Sequence, residues 1–155
     1  MTLPRRIDLQ FASQLNNLNN YARAKRCSGL GDGVVKSDDT EHTEWRSCCS
    51  ISSALDVLGD RWSLLIIRDL FVHGTRTFSQ FLDSPEHIST NILAARLKLL
   101  TQFNLIERID PNASARNNAF TLTASGAALR PIIESLADWS HTHLKQFHDG
   151  ITSIR

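Results

Sequence analysis

Cysteine and histidine offer the reactive chemistry in this chain, three of the first and six of the second. Cys48 and Cys49 are adjacent, and Cys27 lies upstream in a stretch rich in Gly and Ser. A helix predicted from about residue 50 puts Cys49 at its N-terminus, where unpaired N–H groups favour the thiolate. Arg46 would add to that field. Cys49 is thus a candidate sensor of an oxidant or electrophile, with Cys48 or Cys27 available to resolve a sulfenate. The alternative is a buried, unreactive cysteine. A disulfide between the two adjacent cysteines would be strained. Zinc held by His42, Cys48 and Cys49 would have three ligands, two of them neighbours, a poor tetrahedral set. No metal or cofactor is therefore expected. The histidines (His42, His73, His87, His141, His143, His148) are scattered, and no Ser/His/Asp arrangement, phosphate loop or HExxH motif is present. The chain does not read as an enzyme.

A second kind of chemistry, hydrogen bonding without catalysis, lies in the segment 90–103. At 100° per residue, Leu93, Leu97, Leu100 and Phe103 fall on one side with Ile92 beside them. The other side carries Thr90, Asn91, Ala94, Ala95, Lys98, Thr101 and Gln102, polar or small and free of acid. Such a surface suits close approach to phosphates and base edges. Asn91 can pair with adenine, Ala94 can touch a thymine methyl and Lys98 can neutralise a phosphate. An ordinary solvated face has the same composition. Arg96 falls near the buried edge, where an ion pair with Asp56 or Asp69 competes with a phosphate contact. Arg61, Arg76 and Thr77 lie at the starts of predicted elements and are candidate backbone clamps.

The elements that must position these groups follow from the pattern. Helices are predicted at about 50–58, ending at Gly59, and 61–72, capped by Asp60. A short helix at 78–84 ends at Pro85. Ser89 caps the helix 90–103, with Ile88 and Leu93 forming a hydrophobic staple. Residues 105–109 and 119–123 alternate as strands around the turn-rich 111–118, a β-hairpin. Its loop holds Arg116, Asn117 and Asn118 and no acid after Asp110, suited to a phosphate or the minor groove. Arg108, at its base, can serve the same end or pair with a strand carboxylate. A last helix is predicted over 124–147, with Pro131 kinking it or marking its real start.

Two stretches precede this domain, which spans 47–148. Ile7, Phe11, Leu15, Leu18 and Ala22 recur at helical spacing, so residues 1–26 are expected to be an amphipathic helical extension. The alternatives are a frayed tail or an Arg-rich targeting peptide, which Asp8 argues against. Residues 27–46 are expected to be a linker lacking apolar periodicity. Net charge is +1 and the pI about 7.8, so any positive surface must be gathered on one face. The longest apolar run, Leu64 to Ile67, is too short to span a bilayer. Residues 1–26 lack the apolar core of a secretory signal, and few cysteines suit a reducing compartment, so a cytoplasmic protein is expected.

Several motifs in order carry a resemblance. Leu55-Asp-Val-Leu-Gly-Asp-Arg-Trp-Ser-Leu-Leu-Ile-Ile-Arg-Asp-Leu70, Phe78-Ser-Gln-Phe-Leu, Ile88-Ser-Thr-Asn-Ile-Leu-Ala-Ala-Arg-Leu97, Phe120-Thr-Leu-Thr-x-x-Gly126, Leu129-x-Pro131 and Trp139 resemble the HxlR-type family of winged helix-turn-helix regulators. The resemblance covers about 49–145. It implies a mainly α fold with a β-hairpin wing (α+β), and 90–103 as the recognition helix. It implies a regulator, with repression the default, acting as a homodimer on a pseudo-palindromic double-stranded DNA operator. Half-sites would lie about 34 Å apart. The interface would come from the first and last helices: Ile51, Leu55, Leu129, Ile132, Ile133, Leu136, Trp139 and His143. Many family members begin the domain with Cys-Pro, and some use that cysteine to sense oxidants or electrophiles. Here Cys49-Ser50 keeps the cysteine without the proline. The rival reading is a winged-helix interaction module that does not bind DNA.

Overall fold

The structure is a computed structural model and describes residues 45–47, 49–110, 112 and 118–152. The extension expected over 1–26, most of the linker, Cys48 and the wing residues Arg116 and Asn117 lie outside them. The chain divides into two units, Met1–Asp56 and Val57–Arg155.

In the first unit the described residues lead into helix α1, Ser50–Leu58, which crosses the boundary. The Cys49 carbonyl accepts from Ser53 N at 2.9 Å, and Cys49 N donates to Ser47 Oγ at 3.2 Å. Cys49 therefore stands immediately before the first helical turn, half-buried. Arg46 is ion-paired with Asp56. Its charge, expected to act on the thiol, has a carboxylate partner instead.

The second unit is mainly helical with one small sheet: α2 (Ser63–His73), β1 (Arg76–Thr77), α3 (Phe78–Leu82), α4 (Thr90–Gln102), β2 (Ile106–Arg108), β3 (Ala119–Leu122), α5 (Ala124–Ala127) and α6 (Arg130–His143). The hairpin is present, and a third strand joins it. The antiparallel order is β1-β3-β2, with Arg76 opposite Phe120 and Ile106 opposite Leu122. Ile66, Ile67 and Leu70 of α2, Phe81 of α3, Leu93, Leu97 and Leu100 of α4, and Ile106, Phe120 and Ile133 form one apolar core. α2 and α4 contribute at three- or four-residue spacing, the period that aligns side chains on one face. Ile88 joins this core with Leu93, both ends of the expected staple.

α2 begins at Ser63, two residues later than expected, with Trp62 at the N-cap position. Asp60, expected as the cap, accepts from Trp62 N at 2.7 Å, Ser63 N at 3.1 Å and the Ser63 hydroxyl in the turn just before it. Thr77 and Gln80 form a capping box on α3. The long final helix is interrupted: α5 stops at Ala127 and α6 begins with Pro131 in its first turn. Proline has no N–H for the Ala127 carbonyl and its ring clashes there, so the helix restarts. α6 ends at His143, short of 147, and Phe147 N turns back to Leu144 O at 2.9 Å.

That restart corrects the expected interface. Leu129 and Ile133 face the core of their own unit, Ile133 only 8 % exposed. Ile132 (54 %), Leu136 (49 %) and Trp139 (52 %) stay exposed, with the His143 ring 5.6 Å from that of Trp139. On α1, Ile51 and Leu55 are exposed as well.

Candidate nucleic-acid interface

Helix α4 is seated by a network that the spacing of residues does not reveal. Asp69, just past the apolar run of α2, is buried. Its carboxylate accepts from Ser84 Oγ at 2.6 Å, Arg76 Nη1 at 2.5 Å and Arg68 Nη2 at 2.7 Å. Arg68 also donates to Glu86 Oε1 at 2.6 Å. Ser84 and Glu86 belong to the turn between α3 and α4, so α2 grips that turn by charge-assisted hydrogen bonds. Burial pushes the Asp69 carboxyl up. The hydrogen bonds from Ser84 and Arg68 and the charges of Arg68 and Arg76 outweigh this and hold it below its ordinary value. The Arg68 hydrogen bond likewise lowers Glu86, and Glu86 in turn raises Arg68. The turn closes with His87 at φ 55°, in the left-handed region. A sequence cue did exist: one acid inside Leu64–Leu70 demands a partner.

This network corrects one expectation. Arg76 does not stand ready as a phosphate clamp, because its guanidinium is bound to Asp69 and Ser84 with only 15 % of the side chain exposed. Thr77, half-buried, spends its hydroxyl on the α3 cap. Arg96 pairs with Asp60 at 3.3 Å, rather than with Asp56 or Asp69, and its Nε is buried without a hydrogen-bond partner. Arg61 remains exposed, its guanidinium 5.1 Å from the Trp62 ring centre.

The outer side of α4 presents Thr90, Asn91, Ala94, Ala95, Lys98, Thr101 and Gln102, all exposed. Leu93, Leu97 and Leu100 are buried beneath. Ile92 departs from the expected pattern and lies 40 % exposed beside Asn91 in sequence. Ser89 occupies the N-cap position but makes no side-chain cap bond. The far end turns at Asn104, φ 54°, and Thr123 Oγ1 donates to the Asn104 carbonyl at 2.5 Å.

At the wing's base, Asn118 is buried and not the loop contact expected of it. Its amide donates to the Asp110 carbonyl and accepts from Asp110 N at 3.2 Å. That side chain imitates a backbone pair and extends the β2–β3 ladder by one step. Arg108 is exposed, on the sheet face it shares with Ile106 by strand alternation, and Glu107 is on the other. Among the described residues no group of three or more His, Cys, Asp or Glu could hold a metal ion. No helix among them is long and apolar enough to cross a membrane.

The profile of the HxlR-like helix-turn-helix family matches residues 57–148. The chain belongs to that family. Within it, the HTH-type transcriptional regulator Rv3095 of Mycobacterium tuberculosis is 33 % identical over 95 residues, 61 % of this chain. That alignment spans 59 % of the mycobacterial protein's own length. The HTH-type transcriptional regulator YodB of Bacillus subtilis is 33 % identical over 93 residues, covering 60 % of this chain and 82 % of YodB. The reduced form of YodB superposes with a TM-score of 0.52 at 32 % identity over 61 % of this chain and 93 % of that one. Quinone-bound YodB gives a TM-score of 0.52 at 33 % identity over 61 % of this chain and 98 % of that one. The fold of this HxlR-like chain is the winged helix-turn-helix, and its relatives are transcriptional regulators, not enzymes.

Proposed function

We propose that this chain is a homodimeric transcriptional repressor that reads duplex DNA with the outer face of α4. One observation carries the reading: the exposed side of α4 is continuous, acid-free and backed by three buried leucines, with the β2–β3 wing hairpin next in sequence. A helix of this kind fits a major groove about 12 Å wide. Thr90, Asn91 and Ala94 would meet base edges, Lys98 a phosphate, and Arg61 the flanking backbone. Arg116 and Asn117 on the wing would reach the next phosphates or the minor groove. Residues 47–148 would act as the binding and dimerising domain, working in the cytoplasm.

Fluorescence anisotropy with a duplex selected from a random pool tests this. Affinity should fall steeply with salt, because each phosphate contact releases counterions. Lys98→Ala should weaken all duplexes alike and reduce the salt slope by about one. Asn91→Ala should cost about 1–3 kcal/mol on the selected duplex and little on random DNA. A protein with no salt-dependent duplex affinity would be an interaction module instead.

The α6 ridge of Ile132, Leu136 and Trp139 supports self-association, since apolar surface clustered on one helix face marks a partner site. Ile51 and Leu55 of α1 are proposed to be covered by the second copy too. Leu136→Asp combined with Trp139→Ala should shift the species seen by sedimentation velocity from dimer to monomer. A dimer that survives both changes assigns the interface elsewhere.

Cys49 is the proposed chemical input. It stands half-buried immediately before α1, and a quinone-bound structure exists for the relative YodB. The thiolate would add to a quinone ring carbon, forming a C–S bond while the ring takes up a proton as the hydroquinone. Benzoquinone should therefore lower duplex affinity, and Cys49→Ser should abolish that response. An unchanged response in the serine variant would remove Cys49 from the role and leave Cys48 and Cys27 to be tested.

A further inference from the structure

We propose that a recess between α4 and the sheet binds an aromatic carboxylate, and that this ligand competes with duplex DNA for the α4 surface. The regulatory half of this proposal rests on the duplex-binding reading above.

The recess has a volume of about 370 Å³. Small-molecule sites occupy roughly 300–1,000 Å³, whereas packed interiors hold few voids larger than a water molecule. Its apolar wall comes from Phe78 of α3, Leu97 of α4 and Phe120 of β3. Two cations, Lys98 of α4 and Arg108 of β2, line it as well, and among the described residues no acidic one does. Strand alternation turns Glu107, the neighbouring carboxylate, to the opposite face of the sheet. Aromatic and branched carbon on one side with two cations on another selects a ligand having a flat apolar body and an anionic head. A carboxylate is the simplest such head, and a guanidinium can bind it with two hydrogen bonds.

The recess is not separate from the proposed DNA surface. Ala94 and Lys98 line it and also lie on the exposed face of α4. A bound carboxylate would place its negative charge beside Lys98 and Arg108, where a phosphate would otherwise lie. Ligand and duplex then exclude one another, with a mutual loss of affinity that linkage requires to be equal in both directions.

Isothermal titration of the full chain with 1-naphthoate tests the recess without DNA. Saturable binding at one site per chain is expected, about tenfold weaker for 1-naphthylmethanol, which has the ring without the charge. Arg108→Gln should weaken naphthoate by a similar factor. Ala94→Phe, which fills the recess from an exposed position, should abolish binding. Absence of saturable binding, or unchanged affinity in both variants, overturns the proposal. The second experiment adds naphthoate to the protein–duplex complex at fixed salt. Release of duplex, diminished by Arg108→Gln, is expected. Binding of naphthoate without release overturns the competition. Duplex affinity measured without naphthoate reports separately on the DNA-binding reading, so the two failures are distinguishable.

Discussion

Gly126→Ala should destabilise the protein by about 3 kcal/mol or more, read as a lowered urea midpoint. A Cβ at this position would lie 1.9 Å from the Leu105 carbonyl oxygen and 2.9 Å from its carbon. Neither partner can yield cheaply. The Leu105 carbonyl accepts from Thr123 N at 3.2 Å, and Gly126 N donates to Thr123 Oγ1 at 3.1 Å. Thr123 in turn holds the corner after α4. One added methyl therefore pushes against a joint that connects α4, the sheet and α5. Ala127→Ser, at the exposed neighbouring residue, is the control and should leave the midpoint nearly unchanged. A glycine variant as stable as the parent would mean that α5 can shift without disturbing this joint.

Asp69→Asn should cost about 3–5 kcal/mol, because it strips the buried counter-charge from Arg76 and half of that from Arg68. The loss should be visible in function too. Ser84 would lose its carboxylate acceptor, and Arg68, which holds Glu86, would lose one of its two counter-charges. The turn leading into α4 would loosen, and duplex affinity would fall with stability. The same residue sets a pH dependence. Its folded pKa lies below the ordinary 3.8, so the unfolded chain binds the proton first as acid is added. The stabilisation is complete well above 3.8 and is lost as pH falls through the lower folded value. Glu86 adds to this in the same direction, from an ordinary 4.5. Urea midpoints measured from pH 6 downward should decline for the parent and decline less steeply for Asp69→Asn. Parallel curves would show that Asp69 is not the titrating group.

The face of α4 was legible because three leucines at helical spacing leave no choice of which side is buried. The hairpin was legible for a similar reason, two alternating runs around turn residues. β1 was not: Arg76 and Thr77 are too few to show alternation, and they become a strand only by pairing with Ala119 and Phe120 far along the chain. The ionic network escaped in the same way. Arg68 meets Glu86 and Asp69 meets Ser84 across 18 and 15 positions, beyond any local pattern. Arg96 was assigned to the edge of the helix correctly but to the wrong carboxylate, since Asp56, Asp60 and Asp69 differ only in three-dimensional position. On α6 an apolar list was read as one interface. Pro131 resets the helix, and the list splits into Leu129 and Ile133 facing inward and Ile132, Leu136 and Trp139 facing outward.

The candidate site was legible in its helical part and less so elsewhere. Thr90, Asn91, Ala94 and Lys98 share one exposed surface, as the helical wheel required. Arg76 and Asn118 carry residue types suited to DNA but have structural partners, which no count of charges distinguishes.

Helix α4 is bracketed by two left-handed backbone corners, His87 before it and Asn104 after it. Its seat is made by leucines underneath and by carboxylates and guanidinia behind its entry turn. Thr90, Asn91, Ala94 and Ala95 take no part in that seating. They can be exchanged as a set, like the cut of a key on an unchanged shank, and the chain should still fold. Under the proposed DNA-reading role, transplanting these four from another member of the family should alter sequence preference and leave the parent's thermal stability.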